Sequence, residues 1–182
     1  MAKTRYNFGL KTLHWAIVGL LAAQFVLVLV RSFIHRAEFH DAYLEFQLIQ
    51  IHKSLGATIV ALVPIRLLWR WIGGLPDWPD GVAEWEKSAS SGVENWLYGL
   101  LLIVPVSGAA STIASGAPLL WFGYEILPAL ISASPAFTAL ALFVHTVLIY
   151  LLLIVFALHI GLVFRRSIYE RDSYHKRIFL KA

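Results

Sequence analysis

The chain has 182 residues, 59% of them hydrophobic and only 14% charged, with a mean hydropathy of +0.70; soluble domains run near half apolar and a quarter charged, so this is an integral membrane protein. There is no cysteine, which excludes disulfides, iron–sulfur clusters, thiolate-bound metals and thiol nucleophiles, and leaves histidine as the soft ligand type present in number. The formal charge of +4 would point to nucleic acid in a soluble protein; in a membrane protein its distribution matters more, and no nucleic-acid partner is implied.

Residues 1–11 are short and basic and lead into an apolar run from Leu13 to Val30 that stops at Arg31. The run is long for a signal peptide and lacks a small-x-small cleavage site before Arg31, so it reads as a first span over about 12–31, with His14 one turn inside its start. Residues 32–47 form a polar connection with His35, Arg36, Glu38, His40, Asp41 and Glu45. The second span covers about 48–71, with His52 near its beginning and Arg66, Trp69, Arg70 and Trp71 near its end. Pro64 inside it is tolerated where neighbouring helices satisfy the freed backbone. Residues 73–95, rich in Gly, Pro, Ser and acids, read as a loop. The third span, about 96–114, holds Pro105 and Gly108 and no ionisable residue. Residues 115–137, with Pro118, Trp121, Tyr124, Pro128 and Pro135, read as an amphipathic connection at the membrane interface. The fourth span, about 138–164, precedes a basic tail at 165–182 that is suited to lie on anionic lipid.

Four spans of about 20 residues match the hydrocarbon thickness of a bilayer. The expectation is a single membrane domain over residues 1–182, an all-α four-transmembrane-helix bundle without internal repeat. Of the fifteen Lys and Arg residues, all but Arg31, Arg36 and Lys53 fall on one side if the N-terminus is inside. That bias places both termini in the cytoplasm.

The fourth span carries the informative pair. His145 and His159 lie fourteen positions apart, which returns them to within ~40° of the same azimuth and separates them by ~21 Å along the axis. Ionisable groups inside a membrane face a protein interior and a partner. Given the topology, His14 and His159 share a depth near the cytoplasmic surface, and His52 and His145 share one near the outer surface. Two opposed neutral imidazoles at one depth are what a b-type haem requires, one axial nitrogen on each side of the iron, with the other ring nitrogen donating to a carbonyl or similar group. Gly56 after His52 and Gly161 after His159 would leave room for a flat macrocycle. Such ligation fills the coordination sphere and suits electron transfer, not oxygen binding. Two haem b groups, held by His14 with His159 and by His52 with His145, would form a transmembrane electron wire.

Competing uses of the histidines fit less well. Two ligands at each depth are too few for zinc or copper, and a proton relay would want Asp or Glu inside the spans, where the sequence places none. His35 and His40 read as solvated loop residues, His175 as part of the tail, and Trp69, Trp71, Trp78, Trp85, Trp96 and Trp121 as interfacial belt residues. A non-haem four-helix scaffold would show no visible absorption.

The chain resembles the prokaryotic cytochrome b561 proteins in LHW at Leu13–Trp15, IHKSLG at Ile51–Gly56, RLLWR at Arg66–Arg70, PVSG at Pro105–Gly108, PLLWFG at Pro118–Gly123, and His145 with His159. The resemblance covers nearly the whole chain in the family's order. It implies a four-helix dihaem b protein of the bacterial cytoplasmic (inner) membrane that exchanges electrons with ubiquinone. The stand-alone family member looks like a superoxide oxidase, which takes an electron from superoxide on the periplasmic side and reduces quinone. The alternative is an anchor and electron-relay subunit, like the related dihaem subunits of hydrogenases and formate dehydrogenases, which would need a partner redox enzyme. Many members carry a further histidine near the start of the third helix; here that region reads SSGVENW, Ser90–Trp96. On the superoxide reading, Arg31, Arg36 and Lys53 would form a basic outer mouth that draws the anion in, partly offset by Glu38, Asp41 and Glu45.

Overall fold

The computed structural model describes residues 6–36, 41–78, 81–169 and 178, the side chains of 166–169 excepted. Among them are four long helices, α1 (Phe8–Arg36), α2 (Ala42–Gly73), α3 (Glu84–Ala114) and α4 (Pro135–Tyr169), with a two-stranded hairpin, β1 (Leu119–Trp121) and β2 (Tyr124–Leu127), between α3 and α4. All four helices are long and apolar enough to cross a membrane. Glu38, His40 and His175, with the lysines and arginines at 3, 5, 171, 176, 177 and 181, lie outside the described residues, as does most of the tail expected to rest on lipid.

Local chemistry sets the helix ends. The Asn7 Oδ1 accepts from the Leu10 amide at 2.8 Å and the Asp41 Oδ1 from the Leu44 amide at 3.0 Å, each satisfying an amide that the first turn leaves without an intrahelical acceptor. Gly74, at φ 63, closes α2 by returning its amide to the Arg70 carbonyl at 3.0 Å. Pro135 opens α4, where its missing N–H and fixed φ cost nothing.

Two regions differ from the sequence reading. Residues 84–95 are helix, not loop: α3 begins at Glu84, a full twelve residues before the expected span. The serines and Gly92 there have weak helix propensity, and tertiary contacts override it. Glu84 and Glu86 sit in the first turn, where the helix dipole favours anions. Glu86 is ion-paired with Arg165 of α4, Arg165 lies over the Trp85 ring at 5.0 Å, and Glu94 pairs with Arg70 of α2 at 2.8 Å. Consequently α3 carries an acid, Glu94, just ahead of the apolar span at 96–114, which itself holds none.

The second difference is the 115–137 connection, which folds into the hairpin and docks on α2. Phe122 (φ 47) and Gly123 (φ 91) both adopt left-handed backbone, the requirement of a tight two-residue hairpin turn. The turn is secured by the Phe122 amide donating to Ser54 Oγ at 2.9 Å and the Trp121 indole donating to Thr58 Oγ1 at 3.0 Å.

Helix α1 packs along α2, α3 along α4, and α2 against α3. The core sits where the pairs join, from Ile17, Ile59, Val63, Tyr98, Leu101, Val104, Leu152 and Val155. The outward faces keep large apolar side chains such as Leu29, Phe33, Phe143 and Tyr150 exposed, the surface that lipid covers in a membrane protein. Between α1 and α4 lies an apolar cleft of about 190 Å³ lined by Val18, Leu21, Ala22 and Phe25 on one side and Leu152 and Phe156 on the other.

Candidate functional site

The helix order brings the four span histidines to two ends of the bundle. His14 of α1 lies within electrostatic range of His159 of α4, and His52 of α2 within range of His145 of α4. The apolar cleft between α1 and α4 lies at intermediate height, since Leu152 and Phe156 fall between His145 and His159 on α4.

The end built around His145 is well defined. His145 Nδ1 is 2.9 Å from the Val104 carbonyl and 2.9 Å from Ser107 Oγ. A carbonyl only accepts, so Nδ1 carries the proton and Nε2 keeps its lone pair. This is the tautomer a metal-bound histidine adopts, with its other nitrogen held by a backbone carbonyl. Ser107 donates to the same Val104 carbonyl at 2.7 Å, leaving an oxygen lone pair toward Nδ1. Gly108 makes the approach possible: a Cβ there would fall 3.0 Å from His145 Cε1 and 3.3 Å from Nδ1. Sequence reasoning saw PVSG only as a family mark; the role of Gly108 depends on how α4 crosses α3.

Opposite, His52 is partly buried and its Nδ1 is buried without a hydrogen-bond partner. Gln24 of α1 donates to the His52 carbonyl at 3.0 Å, and its own Oε1 is likewise buried and unpartnered. Such groups are costly to leave unsatisfied and mark a place where a bound group belongs. Gly56 is buried at a helix crossing, where a Cβ would meet Gln24 Nε2 at 3.4 Å and Pro105 Cβ at 3.6 Å. A Cβ on Gly161, by contrast, would meet nothing within 4 Å.

Of the three basic residues expected near this end, Arg31 and Lys53 lie within electrostatic range of His52, while Arg36 is exposed at the last residue of α1. Arg31 is paired with Glu45 at 3.5 Å, and His35 Nδ1 is 3.2 Å from the same carboxylate. Glu45, with its side chain only 9% exposed, thereby joins the end of α1 to the start of α2 and offsets the field of Arg31.

The other end carries more charge. Arg66 Nη2 lies 3.2 Å from His14 Nδ1, the Trp15 ring meets the His14 ring edge-on at 5.4 Å, and His159 is within electrostatic range of Arg66 and Glu94. Arg66 and Arg70 both lie over the Tyr98 ring, at 5.2 and 5.5 Å. In the sequence Arg66 and Arg70 stand in the RLLWR motif of the family without a role of their own, and Tyr98 and Glu94 carry no signal that would place them here.

These residues fit an iron porphyrin. Each end offers two imidazoles from different helices, one end already in the ligating tautomer, flanked by an apolar cleft, and with buried polar atoms awaiting a partner. Among the described residues no three His, Asp or Glu side chains converge on a point.

Comparison with known proteins agrees. The chain is 24% identical over 180 residues to cytochrome b561 homolog 2 of Escherichia coli (strain K12), covering 98% of this chain and 93% of that protein. The sequence profile of prokaryotic cytochrome b561 matches residues 5–181. With that match and four membrane-length helices, the chain belongs to the prokaryotic cytochrome b561 family, haem b-binding electron-transfer proteins that cross the bacterial inner membrane several times.

Proposed function

We propose that the protein is a dihaem cytochrome b working as a superoxide:ubiquinone oxidoreductase, with superoxide oxidised at the periplasmic side and ubiquinone reduced. The observation that carries this reading is the division of the four span histidines into two pairs at opposite ends of the bundle, His14 with His159 and His52 with His145. The haems, when bound, supply reversible one-electron chemistry. The chain's own residues hold and orient them: Val104 and Ser107 fix the His145 ring, and the apolar lining of α1 and α4 excludes water from the space between the two ends. In the overall reaction two superoxide anions each lose one electron and leave as dioxygen, and ubiquinone gains two electrons and two protons.

The biased distribution of Lys and Arg supports an orientation with both termini in the cytoplasm, which sets His52 and His145 on the periplasmic side. Arg31 and Lys53 then stand beside the outer pair, where positive charge raises the local concentration and on-rate of a small anion. Arg36 is the most peripheral member of that group.

The test is made on purified protein. Pyridine haemochrome analysis gives two haem b per chain; His52→Ala and His145→Ala each remove the same haem, and His14→Ala leaves that one in place. Stopped-flow mixing with superoxide then reduces the haems at a rate that falls as salt rises. A colourless preparation sinks the haem assignment, and loss of the inner haem in His52→Ala sinks the pairing. Haems that stay oxidised until a partner dehydrogenase is added would make the protein an electron-relay subunit instead.

A further inference from the structure

Two arginines one turn apart on α2 share the Tyr98 ring, and they are not equivalent. Arg70 has a carboxylate, Glu94, at 2.8 Å. Arg66, for which no carboxylate partner is found among the described residues, has Nη2 on the His14 ring at 3.2 Å and Nε buried with no hydrogen-bond partner. A guanidinium stays charged in proteins, and a charge within a membrane-spanning helix needs a counter-charge or hydrogen-bond acceptor. A neutral imidazole supplies one lone pair and no charge, so Arg66 is half-satisfied.

Its present contact also conflicts with ligation. Because Arg66 only donates, His14 Nδ1 must offer its lone pair and Nε2 must carry the proton. If iron binds Nε2, that proton has to move to Nδ1, which then repels the guanidinium N–H; if iron binds Nδ1, the guanidinium occupies the ligand position. Either way the guanidinium parts from His14 in a ligated site, and a partly buried cation stands beside the porphyrin. Haem b carries two propionate carboxylates, which match the planar fork of a guanidinium.

We infer that Arg66 binds a propionate of the haem at the His14–His159 end. The inference rests on the dihaem reading above. Arg66 is thus a cofactor-binding residue, with its guanidinium held over the Tyr98 ring.

Arg66→Gln and Arg66→Lys proteins, purified full-length from haem-sufficient cells, provide the test. In Arg66→Gln the inner haem is held about ten- to hundredfold more weakly, because the charge-assisted contact is lost, while the outer haem stays. Where inner haem remains, its propionate bending band in resonance Raman spectra shifts and its midpoint potential falls, since a nearby positive charge has been removed. Arg66→Lys keeps the charge and recovers retention and potential, with a band still unlike the wild type because an ammonium cannot form the two-pronged contact. A wild-type Raman band and potential in Arg66→Gln would overturn the inference, and so would equal haem loss in Gln and Lys variants. If Arg66→Gln sheds co-purified anionic phospholipid while the haem signals stay unchanged, the guanidinium serves a lipid phosphate and the inference is wrong. Wild-type protein lacking haem is a separate failure, visible before any variant is made, and removes the dihaem reading together with this one.

Discussion

Gly108→Ala is the smallest change expected to release a haem. The added methyl carbon would sit 3.0 Å from His145 Cε1, about 0.4 Å short of an ordinary contact, and it belongs to the helix backbone of α3, which has little freedom to retreat. The ring therefore moves. Its Nδ1 bonds to Val104 O and Ser107 Oγ are both 2.9 Å, so a shift of that size takes them toward 3.3 Å, where a hydrogen bond has lost much of its strength. Overpacking costs about 1–3 kcal/mol and the weakened bond about 1 kcal/mol, together about 2–4 kcal/mol, or roughly 30- to 1,000-fold in retention of the haem held by His145. The assay is haem content by pyridine haemochrome after graded washing in detergent, with Gly99→Ala as control, because a Cβ at Gly99 meets nothing within 4 Å. If Gly108→Ala keeps both haems as firmly as Gly99→Ala does, the argument that Gly108 positions His145 is refuted.

Two further outcomes follow from contacts outside the histidine pairs. Glu45→Gln removes the charge that Arg31 and His35 share; the unfolding midpoint in detergent falls by an amount corresponding to about 1–3 kcal/mol, and the superoxide reaction becomes faster at low salt and more salt-sensitive, so an unchanged salt profile would separate this cluster from substrate capture. Ser54→Ala leaves the Phe122 amide without its acceptor, and hydrogen exchange at that amide accelerates while the helix amides around His52 stay protected; equal protection of Phe122 would mean the hairpin is held by other contacts.

The parts of the fold legible in the sequence are those governed by the bilayer and by helix period. Hydropathy gives four spans because lipid demands about 20 apolar residues in each, and the 14-residue spacing of His145 and His159 carries over into the structure because both lie on one unbroken helix. Residues 84–95 were not legible: nothing local makes EWEKSASSGVEN a helix, and the contacts that do, from Arg70 and Arg165, come from other helices. The hairpin was hidden for a related reason. Its strands are only three and four residues long, and its anchors are side chains of α2 that read as unremarkable span residues. Gly56 and Gly108 show the same limit, since only the crossing geometry reveals which glycine admits a helix and which admits an imidazole.

The two ends of the bundle are prepared differently for a cofactor. At the His145 end a backbone carbonyl, which cannot change its role, fixes the proton on Nδ1, so a metal at Nε2 would require no proton movement on that ring. At the His14 end a guanidinium donates to the imidazole, and a metal there would require that contact to be given up. A carbonyl partner gives an invariant geometry, whereas an arginine partner makes the geometry depend on whether the site is filled.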